Sequence, residues 1–183
     1  ELLPNGHAKI YSSWEDHGQG ADQGALGTAH ETLKQAGFKS DDIELMMNDM
    51  RETPNSGPAG GSRSQTMTGN AIRLACEKLL DEMRKPDGTY RTYDEMKKDG
   101  KETKVTGQFV MSEATGCDEN GQGKPFMVYE YGLFMAEVTV ETATGKTHVD
   151  KFTCYADCGK VNNYLITDGQ LWGGMAQGIG LAL

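Results

Sequence analysis

Two glycine-rich segments, each leading into a predicted helix, carry the residue types best suited to hold a negatively charged ligand. The first is Gly18-Gln19-Gly20, and the second is Gly60-Gly61-Ser62-Arg63-Ser64. The beginning of a helix presents unpaired N–H groups and the positive end of the helix dipole, and glycine lets the backbone approach a phosphate closely. The second segment adds two hydroxyl donors and a cation. The pair therefore predicts an anion site, although glycine in either place also serves tight turns.

Neither segment matches a standard nucleotide-binding signature. Gly18 and Gly20 follow a predicted strand, but the third glycine is Gly24, one residue later than the dinucleotide fingerprint requires. The second segment lacks the Gly-Lys-Ser/Thr of a Walker loop. A nicotinamide or flavin dinucleotide module is one alternative, with Asp41 or Asp42 as the acidic residue on a ribose hydroxyl. A non-enzymatic interaction domain, whose glycines only form turns and which binds no phosphate, is the other.

Three further positions carry groups that could contribute to the same site. His17, beside the first glycine segment, is a proton carrier, a residue that orients a ligand, or an ordinary loop histidine. Gly169-Gln170 is expected to open the last helix and to make a third contact with the ligand through its amides. Asp157 and Cys158 end a predicted strand, where they either line a site or form a turn with Gly159.

The first half of the chain predicts elements that place both glycine segments before helices. Residues 7–13 and 43–47 read as strands, so with the helix between them the first 50 residues form a β-loop-α-β unit. A longer helix follows the second segment. Apolar residues at three- and four-residue spacing indicate the two helices, with Ala21, Ala25, Ala29, Leu33 and Ala36 in the first and Ile72, Ala75, Cys76, Leu79, Leu80 and Met83 in the second.

The last third of the chain predicts antiparallel strands. Residues 105–111, 131–140 and 149–156 read as strands, with a hairpin turn at Thr144-Gly145 and a final apolar helix from about Gly169 packed on them. The mixed charges over residues 77–104 predict a solvated excursion. We therefore expect an α+β fold of mixed and antiparallel strands with packed helices. Two lobes are predicted, residues 1–104 with two β-loop-α units and residues 105–183 with the antiparallel strands and the final helix.

Composition excludes several classes of partner. The chain has 27 acidic and 18 basic residues, and its formal net charge of −9 repels nucleic acid. No apolar stretch approaches the roughly 20 residues that cross a bilayer, so we expect no membrane partner and a cytoplasmic location. The four cysteines form no CxxC pair and are expected to be reduced. Because the chain begins at Glu1 and ends in an apolar run at Leu183, we expect it to be a section of a longer polypeptide.

Taken together, these residues resemble a known family, the large subunits of molybdenum hydroxylases, which include xanthine dehydrogenases and aldehyde oxidoreductases. The likeness spans nearly the whole chain and is strongest to the bacterial aldehyde oxidoreductases. Each motif is weak alone, and their order and spacing make the likeness specific. The motifs are Gly18-Gln19-Gly20, Pro54-Asn55, Pro58-Ala59-Gly60-Gly61-Ser62-Arg63-Ser64, Tyr131-Gly132, Glu137-Val138, Asp157-Cys158-Gly159, Gly169-Gln170, Gly173, Gln177-Gly178 and Gly180-Leu181.

The resemblance implies the molybdopterin-binding region of such an enzyme, with a fold of that type. The implied cofactor is molybdopterin cytosine dinucleotide with its molybdenum. His17 stands where several relatives have methionine. By the same resemblance, the residues that bind the cofactor are Gly18, Gln19, Gly20, Gly60, Gly61, Ser62, Ser64 and Gln170, with His17 and Gly61 near the metal end.

The reaction that the resemblance implies is oxidation of an aldehyde to a carboxylic acid, with water as the oxygen source. Electrons would leave through 2Fe–2S clusters in other domains. The general-base glutamate of the family lies beyond Leu183, so no catalytic residue and no metal ligand is assigned here, and the section alone is expected to be inactive. Its expected partners are the remaining domains of the parent polypeptide and a small aldehyde substrate, with the parent forming a homodimer.

Overall fold

The structure, a computed structural model that describes all 183 residues, divides into two compact units. The first covers Glu1–Met111 and the second covers Ser112–Leu183. In chain order the elements are β1 (Ala8–Ser12), α1 (Ala21–Leu33), β2 (Ile43–Met47), α2 (Asn70–Met83), α3 (Tyr93–Lys98), β3 (Tyr131–Val140), β4 (Thr147–Asp157) and α4 (Tyr164–Ala182), with 3-10 turns at Lys34–Ala36 and Ser40–Asp42 and a π-helical turn at Gln65–Gly69.

The predicted β-loop-α-β unit is confirmed in the first unit. β1 and β2 pair in parallel, in a register that runs from Ala8 opposite Ile43 to Ser12 opposite Met47. Parallel neighbours need a crossover connection, and α1 provides it. The helix buries the face that its spacing predicted, since Ala21, Ala25, Ala29 and Leu33 are all buried.

The long helix after the second glycine segment is also confirmed. α2 packs against α1, and Leu80 is only 2% exposed. Complete burial of a leucine side chain contributes about 2 kcal/mol to folding, so this face anchors the helix to the core. A π-helical turn, Gln65–Gly69, separates the glycine segment from α2. The buried residues of α2 are Ile72, Cys76, Leu79, Leu80 and Met83.

The charged stretch over residues 77–104 is not the solvated excursion that its composition predicted. α3 lies within it and buries Met96 completely in the core of the first unit. Thr92 caps α3 by accepting a hydrogen bond from the Glu95 N–H, and Lys85 forms an ion pair with Glu95 at 2.7 Å. Charged residues thus cover the outside of a segment that several apolar side chains, Met96 among them, fix to the core of the first unit.

The predicted hairpin is confirmed in the second unit. β3 and β4 pair antiparallel from Tyr131 opposite Asp157 to Val140 opposite Thr147, with an irregularity between Glu137 and Val138. All residues of β3 are exposed. Every residue of the apolar core identified in the structure belongs to the first unit.

Two expectations for the last third of the chain are wrong. Residues 105–111 form no strand and belong to the first unit, where the backbone at Gly107 lies against the backbone of α2 at Ala71 and Ala75. Because the neighbour of this segment is a helix, its backbone has no strand with which to form ladder hydrogen bonds. The final helix begins at Tyr164, ahead of Gly169, because the Asn163 side chain accepts a hydrogen bond from the Ile166 N–H and caps it there.

The expected packing of the last helix on the strands is absent as well. α4 buries none of its residues and makes no extended contact with β3 or β4. The fold class is nevertheless confirmed as α+β, with one parallel and one antiparallel strand pair together with helices. No helix of the structure has the length and apolar character needed to span a membrane.

Candidate functional site

The first glycine loop is organised by the carboxylate of Asp16. Its Oδ1 accepts hydrogen bonds from the N–H groups of Gly18 at 2.7 Å and Gly20 at 3.4 Å, and its Oδ2 accepts one from Asp22 at 3.1 Å. These bonds lower the pKa of Asp16, and the bond from the Asp22 N–H has the largest effect. The amides of Gly18 and Gly20, which the sequence suggested for a ligand, are therefore satisfied within the chain.

The side chain of Gln19 closes the same loop. Its Oε1 accepts a hydrogen bond from the His17 N–H at 2.5 Å, and its Nε2 donates to the backbone oxygen of Glu15 at 2.8 Å. The imidazole of His17 is 63% exposed, and its Nε2 lies 3.6 Å from Glu15 Oε2. The first loop thus presents the exposed imidazole and a compact, internally bonded turn rather than a row of free amides.

The second glycine loop presents the open donors. Gly61 and Ser62 are consecutive residues in the left-handed region, with φ of 62° and 55°. Among the hydrogen bonds of the structure, none uses the N–H of Gly60, Gly61 or Ser62 or the hydroxyl of Ser62 or Ser64. Turns of this kind direct successive N–H groups towards one point and form anion-binding concavities.

Arg63 does not serve as the free cation that its place in the loop predicted. Its Nη1 donates to the backbone oxygens of Pro58 at 2.9 Å and Ser56 at 3.3 Å. The guanidinium also covers Gly57, where an added Cβ would lie 3.1 Å from Nη1. Arg63 therefore fixes the curvature of the loop, and anion binding falls to the backbone amides and the hydroxyls.

Two side chains that the sequence analysis missed join the two loops. Glu15 Oε2 accepts a hydrogen bond from the Ala59 N–H at 3.0 Å, directly before Gly60. Ser13 Oγ accepts one from the Ser56 N–H at 2.9 Å and donates to the backbone oxygen of Pro54. No motif marks either residue, so only the contact between the segment that follows β1 and the second loop reveals their role.

The helical segments that follow the loops are adjacent too. Gln65 Nε2, at the start of the π-helical turn, donates to Thr28 Oγ1 on α1 at 3.2 Å. An added Cβ on Gly24 would lie 2.9 Å from the ring of Trp14, so the segment after β1 and α1 meet closely at this point. The two glycine loops and the helical segments that follow them thus lie next to each other in the first unit.

Gln170 and Asp157 lie in the second unit. Gln170 is exposed inside α4, so the expectation that Gly169-Gln170 opens a helix with free amides is wrong. Asp157 ends β4, and its Oδ1 accepts a hydrogen bond from the Gly159 N–H at 3.1 Å. With Gly159 at φ of 71°, Asp157 and Cys158 form a turn there.

A cavity of about 450 Å³ in the first unit lies beside the second loop but does not include its open amides. Ser13, Ser56 and Arg63 line one side of it, and Gly107 and Phe109 line another. No group of three or more His, Cys, Asp or Glu side chains among the 183 residues could hold a metal ion. The donors present suit the phosphate and polar groups of an organic ligand.

Comparisons with known proteins agree with this chemistry. The family model of the molybdopterin cofactor-binding domain matches residues 1–183. The chain is 57% identical over its whole length to an aldehyde oxidoreductase of Megalodesulfovibrio gigas, and covers 20% of that protein. It is 29% identical, over 70% of its length, to xanthine dehydrogenase 2 of Arabidopsis thaliana, of which it covers 10%.

A solved structure gives the same result. The aldehyde oxidoreductase of Desulfovibrio gigas superposes with a TM-score of 0.94 at 56% identity, over 99% of this chain and 20% of that one. The chain therefore spans about a fifth of the length of each of these two aldehyde oxidoreductases.

Proposed function

The chain belongs to the molybdopterin cofactor-binding domain family, and on that premise we propose that its second glycine loop holds the phosphate end of the cofactor. The observation that carries the proposal is the run of open N–H groups at Gly60, Gly61 and Ser62, of which Gly61 and Ser62 have consecutive left-handed conformations. Backbone donors fixed in this way offset phosphate charge without mobile side chains. The hydroxyls of Ser62 and Ser64 extend the donor set.

The first loop has a different task in this proposal. Because Asp16 occupies the amides of Gly18 and Gly20, and its charge repels phosphate, this loop faces the polar pterin and the metal end instead. Gln19 and His17 approach the ligand there, and exchange of the Gln19 bond to the Glu15 oxygen for a bond to the ligand leaves the turn held by Asp16. For Gln170, which lies inside α4, the proposed contact with the ligand is made by its side-chain amide, because it does not stand at the start of a helix.

We propose that the parent polypeptide is an aldehyde-oxidising enzyme. The support is the 57% identity to a protein of that name over the whole of this chain. When bound, the molybdenum cofactor supplies oxidation of the substrate carbon with oxygen from water and removal of two electrons. The residues of this chain bind and orient the cofactor, and the general base lies in another part of the parent. We propose the cytosine dinucleotide form, since the motifs are most similar to bacterial aldehyde oxidoreductases.

The remaining expectations extend to the parent as a whole. We propose that the intact protein transfers electrons through 2Fe–2S clusters, forms a homodimer and is located in the cytoplasm. Neither a nicotinamide or flavin module nor a non-enzymatic interaction domain is supported by the full-length match to the molybdopterin-binding family.

Analysis of the intact protein tests the proposal. We expect equimolar molybdenum and, after acid treatment, equimolar cytidine nucleotide. With an aldehyde in isotope-labelled water, we expect at least one labelled oxygen in the carboxylate product, because hydration of the aldehyde also exchanges its carbonyl oxygen. A protein that contains flavin or nicotinamide without molybdenum would contradict the cofactor, release of another nucleotide would contradict only the cytosine form, and oxidation of xanthine but not of aldehydes would contradict the substrate class.

A further inference from the structure

We propose that Glu15 is a positioning residue that sets the second glycine loop at the correct distance from the first, and this inference rests on the proposed function of that loop. Glu15 lies between the end of β1 and the first loop. Its Oε2 accepts the Ala59 N–H at 3.0 Å across the gap between the loops. Ala59 immediately precedes the three open amides, so this bond fixes the backbone from which they extend.

Glu15 also contacts the first loop at two points. Its backbone oxygen accepts the Gln19 Nε2 hydrogen bond at 2.8 Å, and its Oε2 lies 3.6 Å from His17 Nε2. Glu15 is thus hydrogen-bonded to Gln19 and to Ala59 and lies close to His17. These are neighbours of the ligand on both sides in the proposed site, whereas Glu15 itself needs no contact with the ligand.

In this proposal Glu15 positions the second loop through the hydrogen-bond acceptor at Oε2 rather than through its negative charge. A charge near a phosphate is unfavourable, while a loop that is held before the ligand arrives loses less conformational freedom on binding. The side chain is 47% exposed, so its bond to the Ala59 N–H belongs at the weak end of charge-assisted hydrogen bonds. Loss of that bond is expected to weaken retention of the cofactor about tenfold.

Two substitutions in the intact enzyme separate geometry from charge. Glu15→Gln keeps an acceptor oxygen at the same reach but removes the charge. Glu15→Asp keeps the charge but shortens the side chain by one bond of about 1.5 Å, which takes the oxygen away from the Ala59 N–H. We expect the glutamine variant to retain molybdenum and cytidine nucleotide like the wild type, and the aspartate variant to lose them about tenfold faster during dialysis against a competing chelator.

Glu102→Ala is the matched control, because it removes an exposed glutamate of the same unit that lies outside both loops. Circular dichroism of each variant establishes that it is folded. If the aspartate variant retains the cofactor as the wild type does, or if the glutamine variant loses it as fast as the aspartate variant, the role of Glu15 is refuted. A wild-type enzyme without molybdenum would refute the proposed function instead, so the two failures are distinguishable.

Discussion

The indole ring of Trp14 occupies the space that a side chain on Gly24 would need. A Cβ added to Gly24 would lie 2.9 Å from Trp14 Cη2 and 3.1 Å from Gln65 Oε1. Trp14 is 4% exposed, and its Nε1 is buried without a hydrogen-bond partner. Gly24, whose position departs from the dinucleotide fingerprint, is therefore required for packing of α1 against Trp14, which follows β1.

Gly24→Ala is expected to destabilise the intact protein modestly. Alanine is favoured over glycine inside a helix by about 1 kcal/mol, whereas overpacking a well-filled core costs roughly 1–3 kcal/mol. We expect a net loss of about 1 kcal/mol in the unfolding transition that includes this region. Differential scanning calorimetry measures it, and Trp14→Phe in the same chain should recover part of the loss by removing the ring atoms nearest to the new methyl group. A variant that unfolds at a higher temperature than the wild type would contradict the contact.

Gly107→Ala is expected to be more severe. The added Cβ would lie 2.3 Å from the backbone oxygen of Ala71 and 2.4 Å from the backbone nitrogen of Ala75, and no side-chain rotation relieves a clash with backbone. We expect a loss of about 3 kcal/mol or detachment of the segment from α2. Gly116→Ala is the control, since its Cβ would meet nothing within 4 Å. Equal stability of the two variants in thermal unfolding would show that the segment does not press on α2.

Gly61→Val is expected to lower the molybdenum and cytidine content of the intact enzyme several-fold. Gly61 has a φ of 62°, a conformation that β-branched residues rarely adopt, so the loop must rearrange and its open amides must turn away from the ligand. Gly145→Val imposes the same kind of strain on the hairpin turn, where φ is 76°. Metal analysis of both variants distinguishes a specific effect of the second loop from a general effect of strain, and full loading of the Gly61 variant would count against the proposed site.

Stability that depends on Asp16 is expected to vanish in acid. Hydrogen bonds from the Asp22 and Gly18 N–H groups depress the folded-state pKa of this carboxyl below its ordinary value of about 3.9. A depressed pKa means that the contribution is complete above that ordinary value and is lost as the pH falls through the folded-state pKa. Thermal midpoints of the wild type and Asp16→Asn should therefore differ most above about pH 5 and approach each other progressively as the pH falls below about 4.

Asp81→Asn removes an exposed carboxyl from α2 and controls for the loss of one charge. If the difference between wild type and Asp16→Asn stays constant down to the acid limit of folding, the carboxylate does not stabilise the first loop.

Local spacing predicted the elements whose partners are close in the sequence. The apolar faces of α1 and α2 and the hairpin at Thr144-Gly145 follow from residues a few positions apart, and the structure confirms them. The start of α4 was missed because a single capping side chain, Asn163, outweighs the glycines that suggested a later start.

The candidate site was harder to predict than the elements around it. Both glycine loops were found, because glycine before a helix is a local signal. Which amides are open was not predictable, since it depends on a competitor, Asp16, whose carboxylate accepts hydrogen bonds from the Gly18 and Gly20 N–H groups. Glu15 and Arg63 act through contacts with backbone groups elsewhere in the chain, and side-chain type alone does not reveal such contacts.

The exposed apolar side chains of the second unit affect how cellular quality control recognises an incompletely assembled copy of the parent protein. Phe134 on β3 and Trp172 and Leu181 on α4 are 55%, 62% and 91% exposed within these 183 residues. Such surfaces attract chaperones and proteases until a partner surface hides them. Because these side chains belong to the second unit and the glycine loops to the first, a copy that is misassembled elsewhere would display them, and quality control would recognise it without any defect in the glycine loops.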